Sequence, residues 1–124
     1  METINSPGSV QEQLRECILF GILFKAAMAD LNVIHQLPLR LSYHHLLENL
    51  SRWAEKQHLR LKRSLRQNGC ELLTSRKENH LYCVKVNDHG YQRESFYSIE
   101  LLKAECQQRV RTWILASNEK SYLD

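Results

Sequence analysis

Between Gly8 and Gly69 only Gly21 and Pro38 interrupt the chain. Glycine and proline are the residues that break helices, so a span this poor in both has room for long helices and none for the frequent tight turns of an all-β sandwich. The whole sequence holds 4 glycines and 2 prolines in 124 residues, with 43% hydrophobic and 25% charged residues. That is the composition of one globular domain over residues 1–124, and it excludes a disordered tail or a collagen. The polar ends, 1–9 and 117–124, read as flexible tails.

Ser9-Val10-Gln11-Glu12 fits a capping box, in which the serine hydroxyl accepts an amide proton and the glutamate reaches back. A first helix is therefore expected to start there. It carries Leu14, Ile18, Phe20, Ile22, Leu23, Phe24, Ala27 and Leu31, apolar on nearly every side, as in a helix enclosed by others or by a second copy of itself. Gly21 within it permits a close crossing. Pro38 disfavours helical angles at Leu37 and places a break there. Ser42 then caps a second helix, whose apolar residues from Tyr43 through Leu50, Trp53, Ala54 and Leu61 to Leu65 keep three- and four-residue spacing. Asn68-Gly69 supplies its left-handed end.

Beyond Gly69 the pattern shortens. Cys70–Thr74 and His80–Val86 are runs of apolar and β-forming residues separated by the polar stretch 75–79, which predicts a hairpin with its turn in that stretch. Asn87-Asp88-His89-Gly90 is a second turn by composition, and Tyr91–Tyr97 a third strand. Ser98 caps a last helix with the stripe Ile99, Leu102, Cys106, Val110 and Trp113. A small sheet needs helices over its inner face. The expected fold is therefore α+β and mostly helical, in the order α-α-β-β-β-α, with a small antiparallel β-meander packed against helices.

The stretch from Gln67 to Trp113, through Gln67-Asn68-Gly69, Tyr82-Cys83, Gly90-Tyr91, Leu102-Lys103-Ala104-Glu105 and Gln108-Arg109-Val110, resembles small uncharacterised proteins of endospore-forming bacteria and their mobile elements. The resemblance implies a helical domain with an inserted hairpin. It transfers no activity and no functional residue.

Four cysteines without a C-x-x-C pair, two of them beside apolar residues, read as reduced thiols of a cytoplasmic protein. The polar start lacks a secretory signal, and the apolar run 17–28 holds Lys25 and falls short of the roughly 20 residues of a membrane span. The apolar surround of the first helix suggests a homodimer formed through it.

Few residues carry chemistry. His44 and Glu48, four apart, lie over one helical turn, yet one pair falls short of the three or four ligands of a zinc site, so neither a metal nor another cofactor is expected. His58, between Ala54 and Leu61, reads as a hydrogen-bonded, half-buried core histidine. No nucleophile stands beside a base in the local sequence, and no phosphate-binding glycine loop occurs, so no catalytic residue is assigned and the chain is not expected to be an enzyme.

The second helix holds the sharper pattern. At about 100° per residue, Lys56, Arg60, Arg63 and Arg66 fall within roughly 80° of Arg52, with Leu59 among them. From Arg52 to Arg66 six bases stand against one acid, Glu55, in a chain whose net charge is only +3. Guanidinium groups donate paired hydrogen bonds to carboxylate or phosphate and keep their charge. Such a face serves either of two partners, an acidic protein or a nucleic acid; the remaining reading is a solvated helix face. The expected function is a small non-catalytic regulatory or protein-binding module. The alternative is a DNA-binding regulator, since Leu61–Gly69 followed by a hairpin with Arg76 and Lys77 at its tip resembles the recognition helix and wing of bacterial winged-helix proteins. That alternative requires a turn inside residues 42–68, where no breaker stands.

Overall fold

The computed structural model describes the backbone of residues 10–35 and 43–123, and the side chains of 10–33 and 45–116. The expected caps at Ser9 and Ser42 and the break near Leu37 lie outside the described residues. The elements are α1 (Val10–His35), α2 (Tyr43–Gln67), β1 (Cys70–Glu78), β2 (Leu81–Asp88), β3 (Tyr91–Ser98) and α3 (Ile99–Leu123). The fold is α+β and mostly helical, in the expected order. The polar residues from Ser117 continue the backbone of α3 as far as Leu123.

The first helix is apolar all round because it runs through the middle of the molecule. α2 lies antiparallel to it, as the cross-contacts Gln13 to Ser64, Cys17 to His58 and Phe20 to Trp53 show. Leu14, Cys17, Ile18, Leu19, Phe20 and Leu23 form one core with Ala54, Leu61 and Leu65 of α2, Val84 and Val86 of the sheet, and Leu102 and Cys106 of α3. The residues from which a dimer was expected, Ile18, Phe20 and Leu23 above all, are thus covered within one chain. The large apolar side chains that α1 leaves in solvent lie toward its end, at Met28 and Val33.

α2 is a single uninterrupted helix. The turn that would separate two helices of a helix-turn-helix is absent from Tyr43–Gln67. The helix ends as expected at Gly69, whose φ of 81° is a left-handed conformation that favours glycine. A side chain there would also strike the His89 ring, 2.8 Å from the nearest ring atom.

The sheet has the order β1-β2-β3, antiparallel throughout. Val84 and Val86 alternate inward and are fully buried, while Tyr82 packs against the same core from its margin. The first hairpin differs from expectation. Arg76 pairs with Cys83, Lys77 with Tyr82 and Glu78 with Leu81, so β1 runs through the polar stretch and the turn is Asn79-His80 alone. Polar composition there marks a solvent-facing strand surface, and Asn79, at φ 58°, makes the tight turn. His89 and Gly90, both at positive φ, close the second hairpin.

α3 begins under Ser98, whose hydroxyl accepts the amide of Leu101 at 3.3 Å. It is held to α1 by two ion pairs, Arg15 with Glu105 and Arg109 with Glu16. Trp113 stacks on Trp53 of α2 at 5.9 Å between ring centres.

Candidate partner interface on the second helix

The inward face of α2 is fixed by packing and by a few satisfied polar groups. His58 is half-buried, as expected, and its Nδ1 lies 2.8 Å from the Cys17 carbonyl oxygen, a contact in which the ring nitrogen donates. Ser64 donates to the Gln13 amide oxygen at 3.0 Å. The His58 ring lies against the backbone of Gly21, where a Cβ would sit 2.9 Å from Cε1. The glycine is what allows the two helices to approach so closely there.

With that face turned inward, Arg52, Lys56, Arg60, Arg63 and Arg66 are all exposed, and Leu59 among them keeps 49% of its surface in water. Among the described residues none of the five makes an ion pair with a carboxylate; Arg60 donates only to its neighbour Gln57, at 2.9 Å. Arginines elsewhere behave differently. Arg15 and Arg109 pair across the α1–α3 seam, Arg93 pairs with Asp88, and Arg76 lies between Glu78 and Glu94. Of the described arginines outside α2, only Arg111 lacks such a pair.

The wing contacts change their meaning accordingly. Arg76 stands within β1, bound to Glu94 at 3.1 Å and to Glu78 at 3.4 Å. Those hydrogen bonds raise its already high pKa. Lys77 is exposed in the same strand, one residue nearer the tip.

Beside the basic face lies a cleft of about 410 Å³ between α1, α2, β1 and β2. Its apolar lining includes Ile18 and Ile22 from α1, Leu59 from α2, Leu72 and Leu73 from β1 and Val84 from β2. Lys25, Lys62 and Glu55 supply its charges, and the half-buried His58 and Tyr82 its polar margin. The sequence had marked Gly21, His58 and Leu59 one at a time. That they share a cleft follows from the α1–α2 crossing and was not legible from spacing.

The chain belongs to the YhjD protein family. The model of that family matches residues 7–117, which takes in α1, α2, the whole sheet and most of α3. The stretch 67–113, singled out by its residues, lies inside the matched span. No curated protein and no solved structure matches the chain. The family name carries no activity, so the chemistry of the site rests on its geometry.

One arrangement in this family member has the outline of a nucleophile and base. The Cys17 sulfur lies 3.6 Å from His58 Nδ1. Two facts oppose a thiolate there. Cys17 is completely buried, and burial pushes its pKa up to about 11, against a partial opposing pull from Lys62. The Nδ1 position is moreover taken up by the closer Cys17 carbonyl. Burial also raises Cys70 and Cys106, and all four cysteines are free and buried. Among the described residues no three histidine, cysteine or acidic side chains cluster as a metal site would require. The His44 side chain lies outside them. No described helix is long and apolar enough to cross a membrane.

Proposed function

We propose that this chain is a small non-catalytic regulatory protein of the cytoplasm that binds an acidic protein partner on the outer face of α2. The observation that carries this reading is the row of five exposed cations without a carboxylate among the described residues, where four of the five described arginines outside α2 are paired within the chain. An internal partner makes a cation part of the fold. A cation without one carries its full field into solvent, where it steers an oppositely charged surface. The uninterrupted α2 supports the protein partner over duplex DNA, since a winged-helix reader needs two helices joined by a turn. The setting suggested by residues 67–113, endospore-forming bacteria and their mobile elements, belongs to the same proposal. Self-association through α1 falls to Met28 and Val33, and light scattering of the Met28→Glu, Val33→Glu variant against the native chain tests it.

The functional test is a pull-down from a host lysate, with and without nuclease, using the native chain and the Arg60→Glu, Arg63→Glu variant. A protein captured by the native chain, insensitive to nuclease, released by salt and absent with the variant supports the reading. Capture that disappears with nuclease moves the function to nucleic acid.

A further inference from the structure

We infer that the cleft beside α2 is the anchor pocket for a bulky apolar side chain of that acidic partner, so that the partner presents carboxylates and a hydrophobe on one segment. The inference rests on the protein-binding reading and narrows it. Leu59 connects the two surfaces: it projects among Arg52, Lys56, Arg63 and Arg66 and also lines the cleft. Leu73 of β1, 40% exposed, lines the same cleft. Two exposed leucines lining one open cleft lose hydration cost when something apolar covers them.

The floor matches that occupant. Ile22, Phe24 and Leu72, each half-buried, offer an apolar surface of the kind that buries a phenylalanine or leucine side chain, over the buried Ile18 and Val84, in a volume within the usual range of binding pockets. The cleft keeps its depth because Gly21 has no side chain, which lets the His58 ring settle against α1 instead of standing into the opening. Charge decides the class of partner. Lys25 on the α1 side and Lys62 on the α2 side stand against the single acid Glu55, so the margin continues the positive character of the outer face. An acidic peptide satisfies both surfaces at once. Duplex DNA satisfies the cations only, since its bases are stacked and project no long apolar group into a cleft.

The test uses the full chain with three fluorescent probes: a short peptide of alternating glutamate and alanine with a central phenylalanine, the same peptide with alanine at the centre, and a short duplex DNA. Anisotropy is expected to show the phenylalanine peptide binding about tenfold more tightly than the alanine peptide. Thr74→Trp, on the exposed β1 wall, is expected to remove that advantage and leave the weaker, salt-sensitive binding intact. Arg60→Glu with Arg63→Glu should remove both. Equal affinity for the two peptides overturns the anchor pocket and leaves the basic-face reading standing. Tighter binding of the DNA than of either peptide overturns the protein-binding reading itself, and the absence of binding by all three overturns both. Amide resonances of Gly21, Leu59 and Leu73 give a second readout: if they stay unmoved by the phenylalanine peptide, its side chain lies elsewhere and the inference fails.

Discussion

On the seam between α1 and α3, Arg15 meets Glu105 and Arg109 meets Glu16, whereas on the outer face of α2 five exposed cations meet no described carboxylate. Both regions are helical, carry arginines and are at least partly exposed, but the seam sets acids against its bases and the outer face of α2 does not. The difference lies in what stands opposite. Across the seam a second helix of the same chain supplies carboxylates at matching heights, so the charges lock α3 in register with α1 over a contact whose apolar part is modest. Outside α2 no described residue supplies a carboxylate to these cations.

The contrast predicts graded effects on folding. The largest belongs to the inward side of α2. Gly21→Ala would gain about 1 kcal/mol of helix propensity. It also places a methyl 2.9 Å from a histidine ring held by its hydrogen bond to Cys17. Overpacking is expected to win, with a net loss of about 1–3 kcal/mol in urea unfolding. An unchanged midpoint would show that His58 swings aside freely.

Next comes the seam. Arg109→Glu sets two carboxylates against each other at a site about one-third exposed, and thermal unfolding should show a loss of about 1 kcal/mol after allowance for solvent screening. Adding Glu16→Arg to this variant restores the pair and most of the stability. Failure of that rescue would mean that the seam is held by packing at Leu102 and Cys106 instead of by charge.

A pH effect follows from Cys17. Because burial holds its folded pKa above the ordinary thiol value, its contribution to stability is complete at neutral pH and is lost as pH rises from the ordinary thiol range through about 11. The same burial makes all four thiols silent to a thiol-specific reagent in the native state, with four reacting in guanidinium. Fast reaction of Cys17 under native conditions would contradict the packing of α1 against α2.

The smallest expected effect on folding is that of Arg60→Glu with Arg63→Glu. Solvent-facing positions without partners usually move stability by about 0.5 kcal/mol, so the melting temperature should stay within about 2 °C of native. If this pair costs as much as Arg109→Glu, the two regions are alike and the outer face of α2 belongs to the fold.

Much of this molecule was legible in the sequence, through α1 and α2, the caps at Gly69 and Ser98, and the half-buried His58. The tip of the first hairpin was not, because Ser75, Arg76 and Lys77 have the composition of a turn. Their place in β1 depends on pairing with Val84, Cys83 and Tyr82, a non-local contact that no local pattern announces. The cleft was hidden for the same reason, since its walls come from four elements separated along the chain.

The sequence by itself determined the element order, the ends of α2 and the face on which its cations lie, because helical periodicity and capping are local consequences of residue type. Only the tertiary structure decided which of those charges are answered. Arg109 and Arg63 are alike in the sequence, each on a helix with apolar residues nearby. Packing carries one to Glu16 and leaves the other facing water, and a Coulomb interaction depends on that distance and on the solvent between, neither of which a linear order of residues contains.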